Sequence, residues 1–215
     1  MAALSGTAAL LLDLDGTLVD SEPVHRAAYA AFFAARGWSV HDDTYAHFVG
    51  RRGADVFGTL PGPWTGEDPE ALVAEVFEHL AHVEEAPAEA RGARLLVRSA
   101  HARGIPLALV TSATREWAEH ALAELLGLRE HFDVVVTWED VPEGKPHPEP
   151  YELGCRRLGI APSRTAAVED SVAGVRSAVA AGVGTVVGVA TTTSGALLLE
   201  AGAHQVVAHL EELDV

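Results

Sequence analysis

Two aspartates close an apolar run in the string Leu12-Asp13-Leu14-Asp15-Gly16-Thr17. Carboxylates at the end of an apolar strand cost free energy unless a cation or hydrogen bonds compensate them. An Asp-Gly turn is the plain reading of such a pair. A binding site is the other, because ligands of open α/β sheets sit at the carboxyl ends of strands. Gly16 permits a sharp turn, which lets the Asp15 side chain and carbonyl face the same site as Asp13. A second acidic pair, Glu169-Asp170, ends another apolar run and precedes Ser171. Acids from two strand ends can share one hard cation, and Mg²⁺ prefers oxygen ligands. The alternative is a capped helix start in which the dipole favours acids.

Two further places carry polar groups where chemistry needs them. Thr111 and Ser112 follow the apolar run at 105–110; a hydroxyl there, with the backbone N–H groups of a helix start, can hold a phosphoryl oxygen or cap the helix. Lys145 lies in Gly144-Lys145-Pro146-His147-Pro148-Glu149-Pro150 and is the only lysine, the other 14 of the 15 basic residues being arginines. In a chain so biased to arginine, one lysine in a proline-stiffened loop points to a need for a compact ammonium.

These residues need a scaffold, and six short apolar runs supply one: residues 8–14, 105–110, 133–137, 165–168, Thr185–Val189 and 205–208. They are nearly continuous rather than alternating, as strands covered on both faces are. Helical segments at 115–126, Glu149–Leu158 and 171–181 alternate with them, predicting an α/β fold with a parallel, Rossmann-like sheet. The alternation lapses after Val19. Val24, Ala27, Ala28, Ala31, Phe32 and Ala35 then mark one helical stripe before Gly37, and a second helix is expected near 70–83 after a Pro/Gly loop. Residues 84–90 read as a linker. The organisation predicted is a core of residues 1–19 and 86–215 with a helical cap of residues 20–85.

Composition bounds the partners. The 215 residues carry 15 basic and 31 acidic side chains, a formal charge of −16, which disfavours nucleic acid and anionic membrane surfaces. Cys155 stands alone in a helical stretch and reads as a buried, inert thiol. No run is long enough to span a membrane, and the first residues lack a basic leader, so a cytoplasmic location is expected. The oligomeric state is left open.

The motifs in this order resemble the haloacid dehalogenase superfamily, and the resemblance covers nearly the whole chain. DLDGTLVDSEPVH is similar to the subgroup whose helical cap follows the first strand, and VTSAT, GKPHPEPY and VEDSVAGV are similar to its small sugar- and polyol-phosphate phosphatases. The resemblance implies a phosphatase for small phosphorylated metabolites. Asp13 would be the nucleophile and form an aspartyl-phosphate. Asp15 would act as acid and then base, for which its pKa should be raised. Mg²⁺ would be held by Asp13, the Asp15 carbonyl and Asp170, with Glu169 joining directly or through water. Thr111, with backbone N–H groups near Gly16 and Ser112, would orient the phosphoryl oxygens, and Lys145 would neutralise charge.

The cap should read the substrate's organic part, with His25 and Arg51 the candidates to reach it, although Arg51 and Arg52 read first as solvated charges. A β-phosphoglucomutase-like isomerase is the alternative, since His25 falls where that family has a cap histidine. Against it, Gly53 stands where the family carries an arginine, and the cap lacks a lysine. A non-catalytic binding protein would not need all four motifs intact. The dehalogenase branch has no counterpart of Asp15.

Overall fold

The computed structural model describes residues 2–4 and 6–215; Met1 and Ser5, within the stretch assigned above to the core, lie outside the described residues. Six strands form one parallel sheet: β1 (Ala9–Leu12), β2 (Leu107–Val110), β3 (Val134–Val136), β4 (Thr165–Glu169), β5 (Thr185–Val189) and β6 (Gln205–Val207). Their spatial order is β3-β2-β1-β4-β5-β6. Each strand end falls within two residues of the corresponding apolar run. Leu10, Leu12, Leu109 and Val168 join the apolar cluster on one face, and Leu11, Ala108 and Ala167 the cluster on the other. Burial on both faces is the reason the runs do not alternate.

The register positions the chemistry. Leu12 is level with Leu109 of β2 and Val168 of β4. The next residues, Asp13, Val110 and Glu169, therefore emerge together at the carboxyl edge. Successive connections from β1 run outward on one side to β2 and β3, and on the other to β4 and beyond. The crevice at β1 is thus the switch point where ligands of such sheets bind.

The segment between Val19 and Glu89 is helical: α1 (Glu22–Ala35), α2 (Asp42–Tyr45), α3 (Gly53–Thr59) and α4 (Pro69–Leu80). It has its own core, in which Phe32, Phe33, Phe48, Phe57 and Trp64 pack with Leu72, Val73 and Val76. Of the stripe expected along α1, Val24, Ala28 and Phe32 are buried, joined by Phe33, whereas Ala27, Ala31 and Ala35 are exposed, because the buried face is narrower than the alanine-rich stripe. The second expected helix, α4, starts at Pro69 behind an Asp68 cap and stops at Leu80, earlier than residue 83. The presumed linker is partly structured: Ala88–Glu89 pairs antiparallel with Val19–Asp20, drawing the two ends of the segment together. Helices α2 and α3, of four and seven residues, are too short to leave a periodic stripe and were not foreseen.

Around the sheet lie α5 (Ala93–Ala102), α6 (Arg115–His120), α7 (Glu149–Leu158), α8 (Val172–Ala180) and α9 (Gly195–Ala201). The helix expected over 115–126 is α-helical only to His120 and continues as a π-turn, Ala121–Leu125, with Leu126 N donating to Ala121 O at 2.9 Å. The extra residue keeps Ala121, Leu122 and Leu126 in the core. Cys155 is buried in α7, and burial pushes its thiol pKa up. Among the described residues no helix is long and apolar enough to cross a membrane.

Candidate active site

Asp13, Lys145, Glu169 and Asp170 meet at the carboxyl edge, all buried. Lys145 Nζ donates to Asp13 Oδ1 at 2.6 Å, to Glu169 Oε1 at 2.5 Å and to the Val110 carbonyl at 2.8 Å. All three donors of the ammonium are used, and the three acceptors come from β4, the end of β2 and the residue after β1. A guanidinium is planar and longer, so the chain's one lysine stands where only a compact cation fits this geometry.

Glu169 is held further by Tyr151 Oη at 2.7 Å and Ser171 Oγ at 3.1 Å. Its carboxylate lies against the Cα of Gly174, where a Cβ would come within 2.0 Å of both oxygens. Glycine at 174 therefore makes room for this carboxylate. With these donors satisfied, Glu169 is placed to orient Lys145.

The charges do not balance. Asp13, Glu169 and Asp170 offer carboxylate oxygens within 4.8 Å of one another, against one ammonium. Lys145 loses hydration on burial, but two carboxylates outweigh that loss and hold its pKa above the ordinary value. Asp13 has the opposite outcome. Burial pushes its pKa up to about 7, because Lys145 alone cannot offset desolvation together with Glu169 and Asp15. Burial also raises Asp170 well above the carboxylate range, with Asp13 and Glu169 adding repulsion. An all-oxygen donor set with surplus buried negative charge suits a hard divalent cation.

Asp15 occupies a different environment, half-buried at the edge of the site. Its Oδ1 accepts from Ser21 Oγ at 2.7 Å and Trp117 Nε1 at 2.9 Å, and lies 3.4 Å from His25 Nε2. Burial alone would raise its pKa, but the bonds to His25, Ser21 and Trp117 outweigh it and hold the carboxyl below its usual value. The expectation of a raised pKa fails in this state because donors, rather than a substrate phosphate, surround the carboxylate. His25 shifts the other way: burial disfavours its charge, yet Asp15 and Glu22 raise its pKa.

Gly16 has φ +78°, and a Cβ there would meet Asp170 Oδ2 at 2.0 Å, so both its turn and its contact demand glycine. Thr111 Oγ1 accepts from Ala113 N at 3.0 Å; the cap of α6 is Thr114, not Thr111 or Ser112. Ser112 Oγ instead donates to Gly50 O at 3.0 Å, joining the core to the helical segment.

Above these groups lies a cavity of about 1080 Å³. Asp13, Asp15, Thr111, Ser112 and Asp170 line it from below, and Val24, His25, Tyr29, Phe48, Arg51 and Phe77 from the helical segment. His25 and Arg51 thus face the space that the sequence assigned to them. Arg51 Nε is buried with no hydrogen-bond partner. Arg52 requires a correction, since it is not a solvated charge. It is buried and donates to Trp138 O, Val141 O and Pro142 O at 2.9, 2.7 and 3.1 Å, crossing from the helical segment to the loop before Lys145. Carbonyl acceptors leave no trace in a sequence, so this contact could not be anticipated. Ser21, Trp117, Tyr151 and Ser171 complete the site; Ser21, Tyr151 and Ser171 fall within the motif strings, whereas nothing in the sequence marks Trp117.

The model of the haloacid dehalogenase-like hydrolase family matches residues 7–182. The chain is 36% identical over 193 residues to validoxylamine A 7'-phosphate phosphatase of Streptomyces hygroscopicus subsp. limoneus, covering 89% of each chain. It is 38% identical over 176 residues to hexitol phosphatase A of Escherichia coli K12, covering 80% of this chain and 78% of that one. Among solved structures, CbbY from Rhodobacter sphaeroides in complex with xylulose-(1,5)bisphosphate superposes with a TM-score of 0.78 at 28% identity, covering 96% of both chains. With the matched segment taking in all four motifs, the chain belongs to the haloacid dehalogenase-like hydrolases.

Proposed function

We propose that this hydrolase is a Mg²⁺-dependent phosphatase of small sugar or polyol phosphate monoesters, working through an aspartyl-phosphate on Asp13. The observation that carries the reading is the buried group of Asp13, Lys145, Glu169 and Asp170 at the sheet's carboxyl edge, beneath a cavity that Asp15 also lines. The phosphatases of phosphorylated carbohydrates among its relatives support the substrate class.

In this reading an Asp13 carboxylate oxygen attacks phosphorus and the bond from phosphorus to the alcohol oxygen breaks. Asp15 gives its proton to that oxygen. Water then attacks the phosphorus of the acyl phosphate; Asp15 takes its proton, inorganic phosphate leaves, and Asp13 is regenerated. Lys145 keeps the nucleophile in place and offsets charge, while Thr111 and backbone N–H groups near Gly16 and Ser112 orient the phosphoryl oxygens. Asp13, Asp170 and the Asp15 carbonyl would hold Mg²⁺, with Glu169 orienting Lys145 rather than joining them directly. The cation supplies charge neutralisation that lets two anions approach.

Residues 20–85 serve as the cap, closing over the cavity and reading the alcohol through His25 and Arg51. Hydrolysis is preferred to mutase chemistry because Gly53 stands where the mutases carry an arginine, the cap has no lysine, and Arg52 is tied to three carbonyls, which leaves His25 and Arg51 as the cap's cationic groups for a second phosphate. A cytoplasmic location accords with metabolite substrates. The test is phosphate release from a panel of sugar, polyol and glycolate phosphates, with and without Mg²⁺ and with EDTA. Release that requires the metal supports the reading; conversion of β-glucose 1-phosphate to glucose 6-phosphate without release would replace it with the mutase.

A further inference from the structure

Asp15 receives three nitrogen and oxygen neighbours on one of its two carboxyl oxygens. Ser21 Oγ, Trp117 Nε1 and His25 Nε2 all approach Oδ1, at 2.7, 2.9 and 3.4 Å. The three are not equivalent chemically. A hydroxyl can donate or accept, and an imidazole nitrogen does either according to its tautomer, but an indole N–H only donates. Oδ1 is therefore an acceptor toward Trp117 whatever the other two do. The hydroxyl oxygen of a protonated carboxyl is a weaker acceptor than its carbonyl oxygen, so the indole N–H favours a proton on Oδ2 over one on Oδ1.

The placement is specific. Trp117 lies 102 residues from Asp15 in sequence. It sits on the first turns of α6, whose cap, Thr114, accepts from Trp117 N at 3.4 Å. The ring packs against the core cluster beneath the sheet edge while its N–H points to Asp15, so apolar packing fixes the donor's direction. Ser21 stands at the N-cap of α1, yet its hydroxyl makes no cap bond and goes to Asp15 instead.

We infer that Trp117 is a positioning residue for leaving-group protonation: its indole N–H occupies Asp15 Oδ1 and biases the transferable proton to Oδ2. This rests on the reading of Asp15 as general acid. The step it serves moves one proton from Oδ2 to the departing alcohol oxygen as the phosphorus–oxygen bond breaks and Asp13 gains the phosphoryl group. An alkoxide leaving group needs that proton, whereas a nitrophenolate departs without it.

The test compares Trp117→Phe with the unaltered enzyme on a hexitol phosphate and on 4-nitrophenyl phosphate, using kcat/KM. That ratio covers steps only up to departure of the first product, so the later role of Asp15 as base does not enter. The expected result is a loss of about 10-fold or more on the hexitol ester, a fraction of what a general acid supplies, with about threefold or less on the aryl ester. Ser21→Ala, which removes a second donor to the same oxygen, should show the same bias and guards against a Trp117→Phe protein that does not fold. Equal losses on both esters in the folded variants, or no loss on either, would overturn the inference. Asp15→Asn separates the two levels: if it too fails to discriminate between the esters, the general-acid reading itself falls.

Discussion

The floor of the cavity and its roof are built on opposite principles. On the floor, five polar groups from four chain segments are tied to one another: Lys145 to Asp13 and Glu169, and Tyr151 and Ser171 to Glu169. The roof rests on its own aromatic and aliphatic cluster of Phe32, Phe48, Phe57 and Trp64, from which apolar side chains reach the cavity together with Glu22, His25, Arg51, Glu84 and Glu85. A buried polar network fails when one member is lost, whereas an apolar wall yields by degrees. In the proposed reading, chemistry falls to the part that tolerates least change, and substrate choice to the part that tolerates more.

The largest effect expected is at the floor. Asp13→Asn should cost about 10⁴-fold or more in phosphate release, as removal of a nucleophile does. Lys145→Met should rank next. It leaves Asp13 and Glu169 buried without their cation, so unfolding in urea should show a loss of about 3–5 kcal/mol along with most of the activity. A Lys145→Met protein of unchanged stability would mean that the floor is not the network described.

The two adjacent arginines sharpen the comparison. Arg52→Ala removes three bonds from a buried guanidinium to core carbonyls, and should destabilise the protein by about 2–3 kcal/mol and speed proteolysis near Val19 and Glu89. Arg51→Ala should change stability by only about 0.5 kcal/mol while raising KM. If both variants behave alike, the division of labour between tether and substrate contact is wrong.

A small effect that depends on pH is the pairing of His25 with Asp15. The folded pKa of His25 is raised above its ordinary 6.5, so its contribution is fully present below 6.5 and is lost as pH rises through the folded value. His25→Ala should therefore cost about 1 kcal/mol or less at mildly acidic pH and converge with the unaltered protein at higher pH, measured by thermal unfolding across pH. Asp15 obeys the opposite sign, its stabilisation lasting until pH falls through its depressed folded pKa.

What could be read from residues alone follows the same division. The floor was legible because its groups sit at strand ends, where an apolar run stopping at Asp13, at Thr111 or at Glu169 marks both element and site. Even there, the partner of Glu169 was not: a carboxylate expected at the metal accepts bonds from Lys145, Tyr151 and Ser171, which only the register brings together. The helical segment was legible as its two longest helices, α1 and α4. Its short helices, the pairing of Ala88–Glu89 with Val19–Asp20 and the route of Arg52 to three carbonyls depend on backbone partners that no side-chain pattern encodes.

The central claim is that Asp13 carries the phosphoryl group during turnover. Mixing enzyme with a hydrolysed sugar phosphate and Mg²⁺, quenching in acid within one turnover and mapping peptides by mass spectrometry tests it directly. The account predicts a phosphoryl adduct on the peptide containing Asp13, absent from Asp13→Asn. Rapid phosphate release with no adduct on that peptide at any quench time, or an adduct on another residue, would contradict it.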